Sequence, residues 1–143
     1  MTVKKYLSQT FGMDKEIKLK RDKIRELDAE RMSVSSMLTP TKVQTSKNNE
    51  KLADLTAAFV DLQDFLVKSI TQLLRLKYDI LLMIDSIENH KQRLILTDRY
   101  INLKRWEDIK SDNYISWTTL HRIHEDALKA LYKQHPDSFT HPK

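Results

Sequence analysis

Cysteine is absent from the chain, so neither a disulfide framework nor a thiolate metal site can form. Glycine occurs once, at Gly12, and proline three times, at Pro40, Pro136 and Pro142. Between Met13 and His135 only Pro40 therefore interrupts a helix. Sheets joined by tight turns need more of both residues, and a phosphate-cradling loop needs a glycine cluster, so the composition argues against β-rich and nucleotide-binding α/β folds. The richest apolar stretch, Leu62 to Ile87, is broken by Asp64, Lys68, Arg75, Lys77, Asp79 and Asp85, which rules it out as a membrane span. MTVKKYLSQTFGM lacks the apolar core of a secretory signal, so the expected location is the cytoplasm, with no membrane partner.

No catalytic arrangement can be assembled either. Glu107 and Asp108, like Glu125 and Asp126, are sequence neighbours that point to different sides of a helix and so do not form an acid–base pair. His121 and His124 share one helical turn but lack a third ligand at useful spacing. The expectation is a non-enzyme with no metal and no cofactor.

The charge of +5 comes from 25 Lys and Arg against 20 Asp and Glu, and its placement matters more than its size. Residues 1–35 and 89–133 each carry a net +3, while residues 52–88 carry −3. A basic C-terminal unit suits a polyanion.

What remains is helical periodicity. Met13, Ile17, Ile24, Leu27, Val34 and Leu38 follow a four-three spacing that predicts a helix over Met13–Met37, with Lys20 and Arg31 as polar exceptions. Residues 38–49, LTPTKVQTSKNN, read as a mobile loop. From about Asn49 to about residue 90 the same spacing runs through Leu52, Leu55, Phe59, Leu62, Leu66, Ser69, Leu73, Leu76, Ile80, Met83 and Ile87, with Ser69 its one polar member. That second helix would be roughly 60 Å long, against about 37 Å for the first, which cannot cover it. From Phe65 onward the apolar stripe also widens. A second copy of the chain is the expected cover, with Phe65, Leu66, Leu73, Leu76, Ile80, Met83 and Ile87 as the oligomer seam and a dimer as the simplest assembly.

After His90 the period breaks into three short helical pieces: HKQRLILTDRYIN, LKRWEDIK and, after a turn at residues 111–115, a helix N-capped by Ser116. The fold class is therefore all-α: an antiparallel helical hairpin or coiled coil with a long central helix, then a helix-turn-helix. Its expected divisions are residues 1–89, 90–133 and a flexible tail, 134–143.

The run from Arg93 to Leu131 resembles the C-terminal region 4 of sigma-70 factors, and more closely phage late-gene transcription regulators of the RinA/ArpU type. Arg93, Leu96, Arg99, Tyr100 and Ile101 carry this in the first helix, then Trp106, Glu107 and Ile109, then Ser116, Leu120, Ile123, His124, Ala127 and Leu128. Lys110 and Asn113 depart from the pattern, which has a small and an apolar residue there. The resemblance implies a phage-encoded activator in a bacterial cell. Its last helix would enter the major groove of double-stranded DNA, and host RNA polymerase would be a further partner. On a helix buried along Leu120, Ile123 and Leu128, the outward positions are Trp117, Thr118, His121 and Arg122. Arg122 suits a guanine edge, Thr118 and His121 suit hydrogen bonds to bases, and Trp117 suits a thymine methyl. Lys104, Arg105, Lys110, Arg99 and Lys129 are the expected phosphate contacts. A competing expectation is a coiled-coil adaptor or antiregulator that binds other proteins and not DNA.

Overall fold

A computed structural model describes residues 1–38 and 46–140. Most of the expected loop and the last three residues of the expected tail lie outside these. All regular elements among the described residues are helical: α1 (Val3–Leu7) with a 3₁₀ turn at Ser8–Thr10, α2 (Met13–Leu38), α3 (Ser46–Asp85), α4 (His90–Leu96) continuing into a π turn at Thr97–Ile101, α5 (Trp106–Asn113), α6 (Trp117–Gln134) and α7 (Asp137–Thr140). No described helix is long and apolar enough to cross a membrane.

Local chemistry accounts for the boundaries. Thr2, Asn89 and Ser116 each cap a helix, their side-chain oxygens accepting from the backbone N–H of Lys5, Gln92 and Thr119. Gly12, at φ +82, takes the left-handed turn between the 3₁₀ segment and α2, a conformation that costs glycine nothing.

The chain forms two compact units. One is Lys15–Leu73, most of α2 and the first part of α3. Its helices run antiparallel: Lys20 Nζ donates to Ser69 Oγ at 2.6 Å, while Met32, Ser35 and Ser36 line a cleft with Thr56. The polar residues Lys20 and Ser69, which interrupt the two apolar stripes, thus satisfy one another. Among the described residues, Ile17, Leu27, Leu66 and Ile70 are the buried apolar side chains of this unit.

The other unit joins residues 1–14 to residues from 74 onward. Its core gathers Val3 and Leu7 of α1, Ile80 and Ile84 of α3, Ile87, Leu96, Tyr100, Ala127 and Leu131, and Phe139 of α7. This departs from the expected divisions in two ways. The first residues are part of the C-terminal body, and the expected tail is partly folded: α7 buries Phe139, whose carbonyl accepts from the Met1 amine at 2.9 Å.

The proposed oligomer seam needs correction for the same reason. Ile80 and Ile87 are covered by this chain's own α1 and C-terminal helices, Leu76 and Met83 pack against the same core, Leu66 is buried and Leu73 is half-buried. The wide stripe closes largely within one chain, because α1 and the C-terminal helices supply the apolar partners that α2 is too short to supply. Phe65 alone of that set stays well exposed, at 66%. Other α3 residues remain open, among them Leu74, Tyr78, Leu81 and Leu82.

Candidate nucleic-acid interface

The helix-turn-helix is built on a small apolar centre, Ile95 of α4, Ile109 of α5 and Leu120 of α6, with Trp106, Ile115 and Ile123 packed around it. Between α5 and α6 the chain turns in three residues. The Ile115 N–H reaches back to the Lys110 carbonyl at 3.4 Å and the Tyr114 N–H to that of Ser111 at 3.3 Å, closing a Schellman motif with Tyr114 in the left-handed position at φ 54. Asn113 sits where the resembled pattern has an apolar residue, and its Nδ2 donates to the Ile109 carbonyl at 2.7 Å. The helix α5 extends to Asn113, so the turn is shorter than the 111–115 stretch expected from composition.

Ser116 then starts α6. Its Oγ accepts from the Thr119 N–H at 3.2 Å and donates to Thr119 Oγ1 at 2.9 Å. Ser116→Ala is expected to lower stability by about 1 kcal/mol in urea unfolding, whereas Ser116→Asn keeps most of it. A change below a few tenths would show that the cap contributes nothing.

Along α6, Leu120, His124, Ala127 and Leu131 face inward, and Trp117, Thr118, His121, Arg122 and Lys129 are exposed. His121 and Trp117 do not stand independently on this open face. Their rings stack at 5.9 Å and 20°, Trp106 lies 5.9 Å from His121, and the Lys110 ammonium sits 5.7 Å over the Trp117 ring. Behind them the Arg99 guanidinium lies 4.8 Å from Trp106 and 4.9 Å from Phe11, and donates to the Lys104 carbonyl. Arg99 is therefore a packing residue, not a free phosphate contact. Sequence spacing gives no signal for this ladder, since Phe11, Arg99, Trp106 and Trp117 come from separate elements.

The remaining basic candidates divide into two groups. Lys104 bonds Asp112 at 3.1 Å and Asp98 at 3.3 Å, and those carboxylates raise its pKa. Arg105 forks onto Asp108, with bonds of 3.1 and 3.2 Å that raise the arginine and lower the aspartate. Both cations are already balanced within the fold. By contrast, Lys110, Arg122 and Lys129 have no ion pair among the described residues. Arg122 also lines a cleft of about 300 Å³ with Asn89, Lys91, Gln92, Ile123 and Asp126.

Beneath this face His124 is buried, its Nε2 3.0 Å from the Tyr100 hydroxyl and its ring edge-on to Trp106 at 4.9 Å. It is placed as a core group, whereas His121 is exposed, and both rings pack against Trp106.

A family model described as protein of unknown function (DUF1492) matches residues 31–132. The chain belongs to that family. No curated protein and no solved structure matches the chain. The matched span takes in α3 to α5 whole and nearly all of α6, so the family pattern includes the helix-turn-helix and leaves α1 and α7 outside.

Proposed function

We propose that this member of the family is a double-stranded-DNA-binding transcription regulator, of the phage late-gene activator kind that its C-terminal run resembles, with α6 as the groove-entering helix. One observation carries the reading: the first half of α6 has an exposed face, Trp117, Thr118, His121 and Arg122, and residues 113–124 contain no Asp or Glu, while Arg122, Lys110 and Lys129 lie without an ion pair in or near it. An acid-free, cation-flanked helix start, braced from behind by a stacked aromatic set, suits a polyanionic groove.

Binding to duplex fragments across a salt series tests it. The logarithm of affinity should fall steeply and linearly with the logarithm of salt, by roughly 0.9 per phosphate neutralised. A flat response, or no retention at about 50 mM salt, would overturn the reading. Arg122→Ala should weaken binding to a selected site about tenfold and relax preference at one base pair, with unfolding unchanged because the side chain is exposed. An unaltered footprint and affinity would remove Arg122 from the interface.

A second reading, a protein-binding adaptor, rests on the exposed Leu74, Tyr78, Leu81 and Leu82. Self-association through those residues is compatible with DNA binding and would present α6 in pairs; sedimentation with and without Leu82→Glu measures it. Contact with RNA polymerase belongs to the proposal only through the resemblance to region 4.

A further inference from the structure

Tyr114 is the one residue in the helix-turn-helix whose backbone and side chain are both at odds with simple folding needs. It holds φ 54 at the position where glycine is the default, and a left-handed backbone costs a residue with a Cβ free energy. Its side chain returns nothing to the fold: it is 95% exposed, and among the described residues it has no hydrogen bond or ring contact. The turn itself is fixed from the other side, through backbone bonds to Lys110 and Ser111. Lys110 also places its ammonium over Trp117, so one residue anchors both the turn and the neighbouring aromatic. The nearest carboxylate in sequence, Asp112, is bound by Lys104 at 3.1 Å. An aromatic ring therefore stands in water at the lip of a cation-bearing surface whose nearest acid is neutralised.

We infer that Tyr114 is a stacking residue for an unstacked nucleobase, placed at the turn before α6 so that the bound DNA is opened or kinked at one step. The inference rests on the DNA-binding reading above and adds the conformation of the partner. A tyrosine face stacks on any base, and an exposed ring at a fixed turn can wedge between base pairs that a groove-bound helix has brought alongside it. Lys110 and Arg122 then meet the flanking phosphates.

The test compares wild type, Tyr114→Phe and Tyr114→Gly on three probes at low salt: a short mixed-sequence duplex, the same duplex with one central bulged base, and the single strand. Tyr114→Gly suits the left-handed backbone, so urea unfolding should show it at least as stable as wild type, separating binding from folding. The bulge should tighten wild-type and Tyr114→Phe binding, because the cost of unstacking is already met. Tyr114→Gly should lose that preference and bind the bulged duplex about five- to 150-fold more weakly than wild type. Stronger binding to the single strand than to the bulged duplex would identify an opened strand as the source of the base, and the reverse a kinked duplex. Equal binding by Tyr114→Gly and wild type overturns the stacking role and leaves DNA binding standing. No binding of any probe by wild type overturns the DNA-binding reading and this role with it.

Discussion

Leu7→Ala is expected to cost about 3 kcal/mol in urea unfolding, through a lowered midpoint at an unchanged slope. Leu7 is fully buried and belongs to the same core as Ile80, Ile84, Leu96, Tyr100 and Leu131, so its loss removes apolar transfer energy and leaves a cavity that α3 and α6 can only partly close. A domain of this size holds about 5–15 kcal/mol in all, which makes the loss a large fraction. Leu19→Ala is the control: Leu19 is 59% exposed, and its truncation should stay within about 0.5 kcal/mol. Should Leu7→Ala behave like Leu19→Ala, α1 would not be part of the folded core. Removing the first twelve residues should have a still larger effect, because it also strips Val3 and leaves the C-terminal helices with a wet apolar face.

That α1 matters at all was not legible in the sequence, and the reason is physical. Five residues with two buried apolar members are too few to show a helical period, and a helix that short exists only by virtue of what it packs against. The longer elements were legible because their stripes repeat. The Met13 start of α2 and its end at Leu38 fall within one residue of expectation. The second helix ends earlier than expected, at Asp85, because Ile87 keeps the apolar period while the chain is already turning toward the Asn89 cap. The Ser116 cap and the exposure of Trp117, Thr118, His121 and Arg122 follow from one polar residue set before an amphipathic run, and the structure places them so. What sequence reasoning missed were contacts made across elements. The ladder from Phe11 to Lys110 and the Lys104–Asp112 pair are of this kind, and so is the covering of Ile80 and Ile87 by the chain's own ends. Tyr114 was missed for a different reason: the left-handed turn is set by backbone bonds of the Schellman motif, and the glycine that usually announces it is absent.

Lowering the pH should weaken the helix-turn-helix unit well before its carboxylates protonate, because of His124. Burial, joined by the positive charges of Lys4, His121 and Arg99, pushes its pKa down from 6.5 to about 4, so the folded ring is neutral near pH 7. The Tyr100 hydroxyl opposite it is pushed up by burial to about 12 and remains a proton donor, which suits a neutral ring accepting at Nε2. Between about pH 6.5 and pH 4 the unfolded chain binds a proton at His124 that the folded chain refuses. The unfolded state then carries more protons, so stability is complete above the unfolded value, is lost as pH falls through this window, and changes no further through this group below the folded value. At about pH 5 the loss should be about 2 kcal/mol relative to pH 7, and across the whole window about 3 kcal/mol. Urea unfolding at stepped pH measures it. His124→Gln should be less stable than wild type near pH 7 and lose less stability between pH 6.5 and 5. A ring resonance of His124 that titrates near 6.5 in the folded protein would refute the account. Because the folded ring stays neutral through this window, its edge-on contact with Trp106, which backs His121 on the open face, should persist in every molecule that remains folded. Apparent DNA affinity in mild acid should therefore fall only as far as the folded fraction falls, and a loss of affinity at pH 5 in protein that is still fully folded would refute this account of His124.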